Sequence, residues 1–243
     1  MTKIVYMIGN TYCKLCQTNE QQLKEELVKT VKAFYYKGLV TNAGGNQSAR
    51  LPGSNKVWLT PSGYPRMSLS PEDLIAVDLE GNVIEGDLKP SIEVYAHLEV
   101  YKRRPDVNAV IHAHVPYVMG ATISGFLEIT HGEAAAILGE VKIIPYYHPG
   151  TKELAKAVGE AFQGTGMKVP RVVITLNHGA FSAGACIHEA RAFMEILDEW
   201  ARFNIAAKAL GGIKHKLTLI DLRKPGAGYI RAVKFGGRAG KVS

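Results

Sequence analysis

With only three cysteines in 243 residues, the chain cannot build a disulfide framework, which fits a reducing compartment. Long hydrophobic runs are missing as well. No stretch approaches the roughly 18 apolar residues that span a bilayer, and Ile4-Val5-Tyr6-Met7-Ile8-Gly9 is too short for a secretory core followed by a cleavage site. The expectation is a cytoplasmic protein without a membrane partner. Two phosphate-binding signatures are absent too: no Gly-Lys-Ser/Thr closes a P-loop, and no G-x-G-x-x-G opens a helix after a strand. Cys13-x-x-Cys16 lacks the second Cys or His pair of a structural zinc site and the preceding strand of a redox motif. Acidic residues are outnumbered, 22 against 29 Lys and Arg, for a formal charge of +7. That excess is local. Residues 208–243 hold nine basic residues and one acidic, a net +8, which leaves −1 for the rest of the chain. Charge runs of this kind are mostly solvated or intersubunit tails, so no nucleic-acid partner is expected.

What is present is an ordinary globular composition, 47% hydrophobic and 21% charged. Leu23, Leu27, Val31 and Phe34 recur at helical spacing and predict a helix over 20–37, stopped by Gly38. Small polar turns follow, then a short strand over 57–60 closed by Pro61-Ser62-Gly63. Ser70-Pro71-Glu72-Asp73 starts a brief helix, and 75–79 with 82–84 read as a hairpin through Gly81. Ser91 caps a helix running to about 103, a strand occupies 108–115, and a second helix-then-strand unit covers 153–162 and 171–176. A long helix spans 188–210. Helices alternating with strands, plus a hairpin, indicate an α/β or α+β sandwich with a mixed or antiparallel sheet. The chain reads as one domain over 1–212 with a basic C-terminal extension over 213–243.

Chemistry concentrates in Ile111-His112-Ala113-His114, because residues two apart in a strand share a face and both imidazoles can hold one metal at about 2.0–2.1 Å per nitrogen. Leu176-Asn177-His178-Gly179 ends another strand in a histidine, and a third imidazole would complete an open three-histidine site. Glu93, in the first turn of the helix capped by Ser91, is the candidate proton-transfer residue and resting fourth ligand. His97, His131, His148, His188 and His215 lack paired spacing and read as surface or packed histidines. Gly44-Gly45-Asn46-Gln47-Ser48, Ser62-Gly63 and Ser91 offer backbone N–H groups, an amide and hydroxyls, the parts of an anion cradle, provided the fold brings three turns together.

The order of these motifs resembles the class II, metal-dependent aldolase/adducin family, in its fuculose-1-phosphate aldolase branch. The resemblance covers 23–206 and rests on Gly45-Asn46-x-Ser48-x-Arg50, Thr60-Pro61-Ser62-Gly63, Pro90-Ser91-x-Glu93, Ala109-Val110-Ile111-His112-x-His114 and Asn177-His178-Gly179. It implies an α/β fold, a three-layer α/β/α sandwich with a mostly antiparallel central sheet, assembled as a homotetramer with active sites between subunits. By the same resemblance His112, His114 and His178 are zinc ligands, with Co2+ or Mn2+ as other divalent ions that such donors accept. Glu93 becomes the acid/base that also touches the metal, and Gly45, Asn46, Ser62, Gly63 and Ser91 hold a substrate phosphate. The implied reaction cleaves a small ketose phosphate to dihydroxyacetone phosphate and an aldehyde through a metal-stabilised enediolate. A decarboxylase on the same scaffold is the second reading, and a non-catalytic adducin-like module the third. Two positions depart from the branch: Ile92 stands where a second serine precedes the glutamate, and Thr130-His131-Gly132-Glu133 carries no tyrosine where the branch has one. His131, Glu133 or Tyr229 would have to serve in its place.

Overall fold

The computed structural model describes residues 19–125, 127–128, 130–164 and 169–217. In chain order the elements are α1 (Glu20–Tyr36), β1 (Asn46–Ala49), β2 (Val57–Leu59), a 3-10 turn (Pro71–Asp73), β3 (Ile75–Val77), β4 (Val83–Glu85), α2 (Val94–Arg103), β5 (Ala109–Ala113), α3 (Pro116–Ile123), α4 (Gly132–Leu138), β6 (Val141–Ile144), α5 (Lys152–Ala161), β7 (Val172–Thr175), β8 (Gly179–Gly184) and α6 (Ile187–Ala209). Local chemistry sets several boundaries. Asn19 caps α1 by accepting from the Gln22 N–H, and Thr151 caps α5 by accepting from the Leu154 N–H.

Eight strands form one sheet in the order β4-β3-β2-β1-β5-β8-β7-β6. Every pair is antiparallel except β6 with β7, which run parallel because α5 carries the chain back across the sheet between them. Side chains alternate across each strand, so both faces are apolar and each requires a helical cover. Trp58, Ala76, Ile111 and Ile174 pack with Leu27 and Phe34 of α1 and Met194 and Leu197 of α6. On the opposite face Val57, Leu59, Val110, Val173 and Phe181 meet Leu98 and Tyr101 of α2 and Leu154 and Val158 of α5. The result is the three-layer, mostly antiparallel sandwich that the sequence resemblance implies.

Five elements differ from the sequence reading. β1 lies where small polar turns were expected, because Asn46, Gln47 and Ser48 are polar yet buried and so show no hydrophobic alternation. β8 escapes notice for a related reason: its glycines and alanines have little strand propensity, and the strand holds its place by pairing on both sides. β6, α3 and α4 were likewise not anticipated, the last two being short helices rich in glycine, alanine and proline. No helix among the described residues is long and apolar enough to cross a membrane. Cys13, Cys16, Tyr229 and most of the basic extension lie outside the described residues.

Candidate metal centre

The centre of the sheet builds the site. β5 delivers His112 from its last turn of pleat, and His114 follows immediately beyond the strand, where Val115 takes a positive φ of 30° and turns the chain into α3. The tight turn between β7 and β8 delivers His178, with Asn177 at φ 58° and the His178 N–H donating to the Thr175 carbonyl. The imidazole centroids of His112 and His114 stand 5.3 Å apart, and those of His112 and His178 stand 4.8 Å apart. One nitrogen from each of the three lies within 4.8 Å of the others.

Glu93 enters from the opposite layer. It is the N-cap residue of α2 itself, so the expected first-turn position is corrected by one step: the helix begins at Val94, and Ser91 accepts from the Glu93 N–H at 3.3 Å. Its Oε2 lies 3.3 Å from His112 Nε2 and its Oε1 lies 3.2 Å from His178 Nε2. Asn46 donates from Nδ2 to Glu93 Oε2 at 2.7 Å.

Electrostatics decide the charge states. Burial drives the His112 imidazole down to about 3, so it is neutral at physiological pH, and burial also lowers His114. Burial favours the neutral acid at Glu93, yet the neighbouring His112 and His178 imidazoles and the Asn46 amide outweigh it and hold the carboxyl far below its ordinary value. His112 Nδ1 lies 3.1 Å from the Ala180 carbonyl and must donate to it, which leaves Nε2 as a bare lone pair. That nitrogen and Glu93 Oε1 are buried without a hydrogen-bond partner, the nitrogen lying 3.3 Å from the other carboxylate oxygen, Oε2, and Oε1 lying 3.2 Å from His178 Nε2. Lone pairs aimed at one another from buried donors require a cation between them, and a divalent ion fits this donor set.

Gly179 makes the close packing of the centre possible. A β-carbon there would lie 2.7 Å from His112 Cε1 and 2.6 Å from the Ala113 carbonyl oxygen, so any side chain would displace the strand or the ligand. On the other side His112 stacks on Phe181, with centroids 4.3 Å apart at 26°.

The three turns of the expected cradle do meet. Pro61 bridges Pro90, and the Ser62 N–H donates to the Lys89 carbonyl, which joins the second turn to the third. Arg66 joins the first to the second by donating to the carbonyls of Ala43, Gly44, Gly45 and Pro61. Because its N–H is spent on Lys89, Ser62 offers only its hydroxyl, while Gly63 is exposed at φ 62° and Ser91 is buried. The Asn46 amide faces Glu93 instead of the turns. Arg66 is almost wholly buried and has no acidic partner among the described residues; burial lowers it to about 10, so it remains charged. The sequence reading missed Arg66, and it set aside His97, which is buried beside Asn46 at 2.6 Å. The spacing of four between Glu93 and His97, which puts both on one face of α2, was the available signal.

A family model described as "Class II Aldolase and Adducin N-terminal domain" matches residues 25–205. The chain belongs to the class II aldolase and adducin family. It is similar to L-fuculose phosphate aldolase of Methanococcus maripaludis, 32% identical over 180 residues that cover 74% of this chain and 94% of the relative. It is also similar to 3-oxo-tetronate 4-phosphate decarboxylase of Escherichia coli, 32% identical over 189 residues covering 75% of this chain and 86% of that one. Among solved structures, an L-fuculose 1-phosphate aldolase superposes with a TM-score of 0.73 at 28% identity, over 86% of this chain and 95% of that one. The named relatives are aldolases and a decarboxylase, all carbon–carbon lyases, and the chain groups with these lyases of the class II aldolase superfamily.

Proposed function

We propose that the chain is a zinc-dependent aldolase, acting in the cytoplasm, that cleaves a small ketose 1-phosphate to dihydroxyacetone phosphate and an aldehyde. The observation that carries this reading is the convergence of three imidazoles and one ionised carboxylate on a spot where two buried acceptors lack a donor. His112, His114 and His178 would hold the ion and Glu93 would join them in the resting state. A divalent cation there supplies Lewis-acid stabilisation for the negative charge that develops on a substrate carbonyl oxygen. The protein's own groups do the rest. Glu93 moves the proton, the turns at Gly45, Ser62–Gly63 and Ser91 bind the phosphate away from the reacting carbons, and that remote contact orients the bond to be cleaved. Cobalt or manganese would serve in the same donor set. The assembly in this reading is a homotetramer with sites between subunits, supported by the exposed Ile92 and Tyr95 beside Glu93.

A panel of ketose 1-phosphates incubated with the zinc-loaded protein should release dihydroxyacetone phosphate from at least one member, and silence across the panel would rule the aldolase out. A second reading has its own support: the decarboxylase relative is as similar as the aldolase one, and Ile92, 63% exposed, removes a hydroxyl from the phosphate end. Loss of carbon dioxide from a 3-oxo acid phosphate, with no aldehyde formed from ketoses, would select it. An inert adducin-like module is disfavoured because all three imidazoles and Glu93 are assembled.

A further inference from the structure

Glu93 at the N-cap of α2 and His97 and Tyr101 within it are spaced four residues apart, on one stripe that faces the sheet; residues at that spacing in a helix rise about 6.0 Å. β1 places Asn46 and Ser48 two apart on the face towards α2, a rise of about 6.6 to 6.8 Å. The two repeats nearly match, so the polar side chains interdigitate like a ladder. His97 Nε2 lies 2.6 Å from Asn46 Oδ1, His97 Nδ1 lies 2.6 Å from Ser48 Oγ, and Ser48 Oγ lies 2.8 Å from the Tyr101 hydroxyl. All five residues are buried.

The direction of every proton in this ladder follows from the orientation of one amide. Asn46 presents Nδ2 to Glu93 Oε2 and therefore turns Oδ1 to His97. Oδ1 can only accept, so His97 carries its proton on Nε2, and its bare Nδ1 must receive the Ser48 hydroxyl proton. Ser48 in turn accepts from Tyr101. Burial supports the assignment: it lowers His97 to about 4, which keeps the ring neutral, and it raises Tyr101, which keeps the phenol protonated. The chain of donors therefore runs one way, from Tyr101 through Ser48, His97 and Asn46 to Glu93 Oε2.

We propose that His97 is a positioning residue that, through Asn46, keeps Oε2 of Glu93 capped and leaves Oε1 as the oxygen that exchanges protons with substrate. This rests on the reading of Glu93 as the acid/base. A proton arriving on Oε2 would oppose the Asn46 N–H, whereas Oε1 makes no hydrogen bond and has only His178 Nε2 beside it at 3.2 Å, a nitrogen that would be turned to the ion. In the step assigned to it, a C–H bond beside the substrate carbonyl breaks, its electron pair enters the enediolate, and the proton passes to Oε1. The reverse transfer returns it.

Two measurements on the zinc-loaded protein test the assignment. Nitrogen-15 NMR at neutral pH should show His97 as the Nε2–H tautomer; finding the proton on Nδ1, or on both nitrogens, overturns the proposal whatever reaction the protein performs. Deuterium uptake into dihydroxyacetone phosphate in heavy water then reads the proton transfer assigned to Glu93. His97→Phe should slow uptake at saturating ligand by roughly 100-fold with KM changed less than about threefold, because the carboxylate is misplaced while ligand contacts remain. His97→Gln, which keeps an N–H for Asn46, should recover to within about tenfold of the parent. Unchanged uptake in His97→Phe, or equal slowing in both variants at matched zinc content, overturns the proposal. Absence of uptake in the parent protein sinks the aldolase reading instead, and the tautomer alone then decides the positioning.

Discussion

Gly179 runs so close beneath His112 that its missing side chain is part of the site. Added as alanine, the new methyl would meet the imidazole Cε1 at 2.7 Å and the Ala113 carbonyl at 2.6 Å. One of those obstacles is backbone in the neighbouring strand, so relief requires β5 and β8 to separate. Gly179→Ala should lower stability by about 2–3 kcal/mol and weaken zinc binding by at least about tenfold, through a displaced ligand. Urea midpoints and zinc titration check both; wild-type affinity in a fully folded variant would refute the packing argument.

Glu93→Gln preserves shape and removes charge. Zinc should still bind through the three imidazoles, while kcat for ketose 1-phosphate cleavage falls by about 100- to 10,000-fold, the usual contribution of a positioned acid/base. Steady-state kinetics beside elemental analysis separate the two effects. A variant that stays fast would remove Glu93 from the chemistry.

Arg66 holds two turns of the cradle together through four carbonyls. Arg66→Met strands those acceptors in a buried place, at a cost of about 3 kcal/mol, and should raise KM for a phosphorylated ligand more than it lowers kcat. Arg66→Lys keeps the charge but cannot span the carbonyls, so only part of the stability should return. Equal stability of all three proteins in urea titrations would show that the turns do not depend on the guanidinium.

Stability of the metal-free protein should rise with pH between about 4 and 6.5. His97 titrates at about 4 in the fold and at 6.5 when unrestrained, and burial is the principal cause. Within that window the unfolded chain binds the extra proton, so acid favours unfolding; above 6.5 the contribution of His97 is complete. The full effect is on the order of 3 kcal/mol. Urea midpoints measured from pH 4 to 7 should flatten in His97→Gln relative to the parent.

The histidine pair was legible because a strand repeats every two residues, and 112 and 114 obey that period. The third histidine and the glutamate were suggested by their places at a strand end and a helix start, and the order of motifs tied them to the pair, whose members are 64 or more and 19 or more residues away in sequence. His97 looked like any packed histidine because its partners, Ser48 and Asn46, sit on a strand whose polar residues hide it. Arg66 was invisible for another reason: it binds only main-chain carbonyls, and those leave no mark in the identity of the residues that supply them. The sandwich itself was readable from alternating elements, while the strands built of small residues were not.

The sheet order also bears on how the protein is made. A ribosome delivers β1 to β5 first, and these strands already neighbour one another as β4-β3-β2-β1-β5. Until β8 emerges, the far side of β5 is an open edge, and it is the edge that carries His112. The last strand synthesised is thus the one that seals the middle of the sheet, and it arrives directly behind His178. A nascent chain halted before residue 178 would expose a sticky strand and an incomplete set of imidazoles together, so translation arrest in that interval should favour aggregation over early metal capture.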